Sequence, residues 1–358
     1  MKKIKIHLNK KTKIILWSVL VVLLIALVVL FFVFGTGKKN LADKQEEEVK
    51  TEEPEATPEP EVPKVQIIDL DSESRNIAVM INNIRTVWGY QSGLQDAYLV
   101  YEMIVEGGYT RLMAIYKDKM PERIGSVRSA RPYYLDYALE NDALYIHFGG
   151  SDQALRDVRT LGIQNINFLY DSGFWRDRSL GLATEHTAFT SMENINQQVS
   201  KKGYRTTTET SPVFHYSAVE VDLSAHGTVI PANRVYIDYS GSRNTSFDYD
   251  PVNKVYYRSQ NGVAHKDYIT GNQYTTKNII TYQVRNYSLD SYGRQALDNI
   301  GSGKGYYITN GQAVEITWEK KSRGEKTIYR YMDGTEIELN DGNTYVEIQP
   351  LGRTLTIE

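Results

Sequence analysis

LVYEMIVEGGYTRLMAIY, residues 99–116, decides the fold. Two runs of β-formers, Leu99 to Glu106 and Tyr109 to Tyr116, flank Gly107-Gly108, a pair suited to the positive φ angles of a tight two-residue turn. A hairpin is expected, and with Glu106 opposite Tyr109 its register sets Ile104 across from Arg111 and Glu102 across from Met113. One face then carries Glu102, Glu106 and Arg111. The other, with Tyr101, Met103, Val105, Leu112, Ala114 and Tyr116, is core. Two carboxylates and an arginine on one face offer an acid, a base and an anion clamp. The same residues also suit ordinary surface ion pairs, worth ~0–1 kcal/mol each.

Beyond the hairpin, Arg128 and Arg131 precede a helix expected from Pro132, whose missing N–H costs nothing in a first helical turn. A helix N-terminus flanked by two guanidinium forks suits a carboxylate or phosphate, while structural pairing with Glu102, Glu106 or Asp136 is the alternative. A strand from Ala143 to Phe148 runs into Gly149-Gly150-Ser151, and Ser151 caps a helix that starts at Asp152 and ends at Gly162. His147 sits at the carboxyl end of that strand, where α/β folds gather ligands. Glu185-His186, beside another strand, could join His147 and Glu102 in one pocket, with packed core residues as the alternative. The catalytic candidates are therefore Glu102, Glu106, His147 and His186. The ligand-binding candidates are Arg111, Arg128, Arg131, Gly149, Gly150 and Ser151. Of these, Glu102, Glu106, Arg111, Arg128, Arg131 and His147 are expected to converge on one concave polar site.

The wording of several segments resembles a known family. NIAVMINN (76–83), QSGLQDAYLVYE (91–102), VEGGYTRLMAIY (105–116), IGSVRSARPYY (124–134), ALYIHFGGS (143–151), TEHTAFTS (184–191), NIITYQV (278–284) and GSGKGYYITNGQAVEITWEK (301–320) are similar to the YerB-like bacterial envelope proteins. The resemblance spans roughly residues 70–355 and implies a two-part extracytoplasmic α/β domain built as a layered sheet-sheet-helix sandwich. Its biochemical role in the family is uncharacterised. Proteins of this kind are often lipoproteins, whereas this chain has no cysteine to carry a lipid.

The amino-terminal end offers another attachment. Six lysines between Lys2 and Lys13 precede an uncharged apolar run from Ile14 to Gly35. At ~1.5 Å rise per residue, that run is long enough to cross a hydrocarbon core of roughly 30 Å. It is longer than the apolar core of a cleaved signal peptide and lacks a small-residue cleavage site. The lysines place residues 1–13 in the cytoplasm and the rest outside. Residues 36–64, rich in Glu and Pro, cannot bury enough to order themselves and read as an extended acidic linker.

The composition shifts near Gly203. Before it strands alternate with helices, the last of them capped by Ser191 and ended by Gly203. After it the chain reads as almost all β, with hairpin turns at Asn261-Gly262, Asn310-Gly311 and Asp333-Gly334. The expected architecture is mixed α/β: an α/β part over 65–205 and a β-rich part over 206–358, preceded by one transmembrane helix. Together these two parts carry a net charge of −5, which argues against nucleic acid as a partner. Neither Ser-x-x-Lys nor Gly-x-Ser-x-Gly occurs, and there is no His-Glu-x-x-His helix. No metal or cofactor is expected. GSGKG at 301–305 is not a phosphate loop, because position 298 is Asp and Lys304 is followed by Gly305; it reads as a β-turn region. Tyrosine supplies 27 residues, and rings with an apolar body and a polar tip suit wet binding surfaces. The functional expectation is a membrane-anchored binding or scaffold protein of the bacterial envelope, engaging peptidoglycan or wall-synthesis proteins. The alternative is a hydrolase or lyase acting on a glycan or anionic envelope substrate.

Overall fold

The computed structural model describes residues 63–358. The basic segment, the apolar run and nearly all of the linker lie outside the described residues. The chain forms β1 (Ile77–Asn82), β2 (Leu99–Ile104), β3 (Thr110–Tyr116), α1 (Pro132–Glu140), β4 (Leu144–His147), α2 (Asp152–Thr160), β5 (Asn165–Asn167) and α3 (Met192–Lys202). Strands then dominate: β6 (Arg234–Ser240), β7 (Arg243–Asp250), β8 (Val255–Gln260), β9 (Asn278–Val284), β10 (Gly301–Thr309), β11 (Gln312–Lys320), β12 (Thr344–Pro350) and β13 (Leu355–Ile357). Further short strands lie in the connections. The fold is mixed α+β and rich in strands, and among the described residues no helix is long and apolar enough to cross a membrane.

Local chemistry accounts for the helices. Pro132 opens α1. The Ser151 hydroxyl accepts from the Ala154 amide at the start of α2, and the Ser191 hydroxyl from the Asn194 amide at the start of α3. Gly203 closes α3 at φ 63°, the left-handed conformation that glycine reaches without strain.

The expected boundary near residue 205 does not divide the sheets. The main sheet runs β11-β10-β9-β12-β2-β3-β1-β4-β5, so strands from both parts of the sequence lie side by side. The join is β12, which pairs in parallel with β2 on one side and with β9 on the other. Helices α1 and α2 cover one face, packing Tyr134, Tyr137, Ala154 and Val158 against Tyr101, Met103, Met113 and Val346. The other face meets α3 and a second sheet of β8-β7-β6-β13, whose Val235, Ile237 and Phe247 belong to the same cluster as Val100, Leu112 and Tyr345. With both faces covered, β1, β2 and β3 are buried at every position, so they read as apolar runs rather than alternating strands.

The hairpin departs from its expected register by one residue. The Val105 amide donates to the Tyr109 carbonyl, Glu106, Gly107 and Gly108 form a three-residue loop, and pairing starts at Ile104 opposite Thr110. Gly107 and Gly108 both have positive φ, as expected, but the extra loop residue puts Glu102 opposite Leu112 and Met103 opposite Arg111. A one-residue slip exchanges the faces of every side chain on one strand relative to the other. Glu102 and Arg111 therefore lie on opposite faces of the sheet. GSGKG is also corrected: it begins strand β10 rather than forming a turn. Its glycines permit close approach there, since a Cβ on Gly303 would lie 2.8 Å from the Trp318 indole nitrogen and one on Gly305 2.4 Å from the Thr281 carbonyl.

Glu102 is fully buried between the sheets. Its carboxylate takes Arg243 at 3.0 Å from β7, Arg258 from β8, and bonds from Asn83, Thr110 and Thr245. Burial alone would push its pKa up, but the two guanidinium groups reverse that and hold it below the usual carboxylate range. Glu347 on β12 lies beside it in the parallel register and is also fully buried. Burial and the Glu102 charge push the Glu347 pKa well up, and the Tyr239 hydroxyl lies against its Oε2. Folding thus favours the neutral form of Glu347 beside an ionised neighbour.

An acid whose pKa is raised on folding stabilises the fold fully below its unfolded value and loses that contribution as pH rises toward the folded value. Glu347→Gln, neutral at every pH, is therefore expected to flatten the decline in stability above pH ~4.3, the ordinary glutamate value. The melting temperature of variant and wild type between pH 5 and 9 tests this, and parallel pH profiles would refute it.

Candidate functional site

Where β2, β3 and the starts of α1 and α2 meet, on the helix-covered side of the main sheet, a cavity of about 710 Å³ opens. Arg111 enters it because the register turns it to that side, and its guanidinium donates to the Ser129 carbonyl. The backbone of 128–131 is pinned between strand ends. The Arg128 amide donates to the Met80 carbonyl, the Phe148 amide to the Arg128 carbonyl, and the Ala130 amide to the Gly149 carbonyl. That crossing brings Arg128 and Arg131 to the same hollow. Glu106, in the hairpin loop, is gripped by Arg131 through two bonds of 2.6 and 2.7 Å, while Arg111 stands 4.0 Å from it.

Positive charge is in excess. Arg111, Arg128, Arg131 and Arg294 line the cavity against only Glu106 and Asp152. Arg128 donates to the Glu185 carbonyl rather than to a carboxylate. Burial, with Arg131 and Arg128 as like-charged neighbours that Glu106 only partly offsets, pulls the Arg111 guanidinium down to about 9. Burial also lowers Arg128. Glu106 is lowered, since its hydrogen bond and ion pair with Arg131 outweigh its desolvation. Chemically, guanidinium groups in such excess can accept an anion.

Of the residues singled out from sequence, Glu106, Arg111, Arg128, Arg131, Gly150 and Ser151 line this cavity. Gly149 stands just outside, its amide held by the Asn167 side chain. Glu102 is between the sheets, on the opposite face, for the register reason above. His147 is buried too. Its ring lies against the Gly149 carbonyl at 2.7 Å and the Asn165 side chain at 3.2 Å, and burial lowers its pKa. His186 is not in the lining but stands behind it, with Nδ1 3.1 Å from the side-chain nitrogen of the lining residue Asn82, and burial followed by Arg128 lowers its pKa. The expected meeting of Glu102, His147 and Glu185-His186 in one pocket does not occur. Among the described residues, no group of three or more His, Asp or Glu side chains is placed to hold a metal.

Sequence reasoning missed Tyr292 and Arg294, which reach the cavity from a two-stranded ribbon, Asn286–Ser288 with Gln295–Leu297, between β9 and β10. No local pattern marks them, because the rest of the cavity lining lies about 140 or more positions earlier in the chain. It also missed Arg243 and Arg258 as the counter-charges of Glu102, and Lys320 as that of Glu140, a pair 2.7 Å apart with both side chains fully buried.

The fold and its arginine-lined cavity define a two-part α+β protein whose parts share one sheet. The chain belongs to the DUF3048 family: residues 65–205 match "Protein of unknown function (DUF3048) N-terminal domain" and residues 235–346 the corresponding C-terminal domain. It is 31% identical over 288 residues to the Bacillus subtilis protein named "Putative lipoprotein YerB", covering 78% of this chain and 82% of that one. The crystal structure of YerB from Bacillus subtilis superposes with a TM-score of 0.69 at 29% identity, covering 79% of this chain and 94% of that one.

The two arginine settings differ in what mutation should do. Arg258→Ala leaves Glu102 buried and partly uncompensated, at an expected cost of about 3–5 kcal/mol. Arg128→Ala removes a bond to an exposed carbonyl and relieves like-charge crowding, so a loss of about 1 kcal/mol or less is expected. Chemical denaturation of the two variants measures both, and equal losses would contradict this division.

Proposed function

We propose that the protein is an envelope-associated binding protein, tethered by the apolar run 14–35 with its folded part outside the cytoplasmic membrane. In this reading the arginine cavity engages anionic material of the wall. The observation that carries it is the cluster of Arg111, Arg128 and Arg131 around a single carboxylate, Glu106, which leaves buried positive charge without a partner of its own. An anion entering there supplies the missing counter-charge. The printed name of the Bacillus subtilis relative, a lipoprotein, supports the envelope setting. Here, with no cysteine in the chain, the apolar run takes the place of a lipid. The hydrolase or lyase reading draws no support from the geometry, since Glu106 is ion-paired, Glu102 is locked between sheets and His147 is packed.

The full chain, solubilised in detergent, is expected to co-sediment with purified bacterial walls and to lose that binding after acid extraction of their anionic polymers. Arg128→Ala and Arg111→Gln are expected to lose it as well. Sedimentation that survives both extraction and substitution would overturn the reading. The topology is tested separately: protease added to intact protoplasts should digest the part from residue 65 onward, and protection of that part would reverse the orientation.

A further inference from the structure

The cavity is larger, and more selective in its lining, than capture of a simple anion requires. Resting on the anion-binding reading, we propose that it takes a phosphorylated saccharide bearing about two negative charges, as one monoester or two neighbouring diesters, and that Tyr292 and Arg294 read it from the second part of the sequence.

Charge comes first. Four arginines line the cavity against Glu106 and Asp152, an excess of two positive charges once Arg294 turns from Asp290, which stands outside the lining and otherwise offsets one of them. A single carboxylate would neutralise half of that, whereas a phosphate monoester carries about −1.5 to −2 near neutrality. Arg131 is the N-cap residue of α1, and no side chain caps that helix, so the positive end of its dipole adds to the preference for an anion.

Size comes next. About 710 Å³ lies within the range of sites for whole small molecules, roughly 300–1,000 Å³, and is far more than a bare phosphate fills. The group attached to the phosphate must therefore occupy the remainder. Two tyrosines at the cavity are open to it: Tyr292 is 77% and Tyr109 46% exposed. Exposed aromatic rings that combine an apolar face with a polar tip suit a sugar, which shows C–H faces and hydroxyl edges.

The third observation is where the ribbon comes from. Every other lining residue falls between Asn82 and Asp152, yet Tyr292 and Arg294 arrive from beyond β9. Arg294 pairs with carboxylates that are themselves at least one-third exposed, Asp290 at 2.7 Å and Asp152 at 3.7 Å, and its guanidinium carbon lies 5.8 Å from the centre of the Tyr292 ring. Exposed pairs of this kind contribute little and exchange readily for a ligand phosphate. The ribbon thus supplies one aromatic face and one guanidinium held by exposed carboxylates to a pocket in which Glu106 grips Arg131 through two bonds.

The test is calorimetric titration of the full-length protein in detergent with N-acetylglucosamine 1-phosphate, N-acetylglucosamine, inorganic phosphate and glucuronate. The sugar phosphate is expected to bind at least 10-fold more tightly than phosphate or glucuronate, with no binding of the uncharged sugar. Tyr292→Ala, at an exposed position, should erase the advantage of the sugar phosphate over inorganic phosphate. Arg294→Gln should weaken both phosphate-bearing ligands. Glucuronate binding as tightly as the sugar phosphate, or a sugar advantage that survives Tyr292→Ala, overturns this inference. If wall binding persists in that case, the anion-binding reading stands alone; if no anion and no wall is bound, both fall. Displacement from walls by the free sugar phosphate indicates a polymer-borne ligand, and displacement by vesicles carrying a polyprenyl-linked sugar phosphate a lipid-borne one. Either supports the proposal, and displacement by neither counts against it.

Discussion

Glu102 is a charge in the middle of a sheet that is covered on both faces, and the arrangement of the second sheet follows from the need to neutralise it. A lone carboxylate in that position would cost several kcal/mol, so Arg243 and Arg258 must arrive from β7 and β8 at one particular offset. Apolar packing between the two sheets tolerates some sliding, whereas a carboxylate that accepts from two guanidinium groups and three further side chains does not. Burial and the same charge favour the neutral form of Glu347 on the adjacent strand, and Tyr239 ties that carboxyl to β6. One buried anion thus fixes the relation between two sheets that apolar contacts alone would leave less defined.

The helix-covered face is joined by a second set of polar ties. Glu140 on α1 accepts from Lys320 and from the Thr327 amide, and Asp136 on the same helix pairs with Arg323. These contacts hold α1 against strands from the far end of the chain, and α1 begins at the cavity. The position of Arg131 is therefore set from two directions, by its neighbours in sequence and by residues nearly 190 positions later. Rigid support of this kind suits a binding site, because the charged groups need not be ordered at the moment a ligand arrives.

Local features of the fold were legible in the sequence because their causes are local. Ser151, Ser191, Pro132 and Gly203 mark helix ends through capping chemistry, and Asn261-Gly262 and Asn310-Gly311 mark turns through backbone preference. The arrival of Arg128 and Arg131 at the start of α1 was legible for the same reason. The hairpin register was not, since a Gly-Gly pair serves a three-residue loop as well as a two-residue one. That single residue sent Glu102 to the wrong face in the sequence reading and brought it into the site. The partners of Glu102, the ribbon carrying Tyr292 and Arg294, and the sharing of one sheet by both parts depend on contacts between distant segments, which no local pattern encodes. GSGKG misled in a smaller way: its glycines signal close approach within a sheet, not a turn.

Strand β12 holds residues 344–350 near the carboxyl end of the chain, yet it lies in the middle of the main sheet between β2 and β9. The chain must therefore be made at least as far as residue 350 before the central slot of the sheet can be filled. Until then β2 and β9 each present an open edge with unpaired amides and carbonyls, the kind of surface that pairs with other chains. The many long-range pairings place this domain among slow-folding topologies. A truncation that removes the last twenty residues would do more than shorten a tail, since it would leave the sheet divided at its centre.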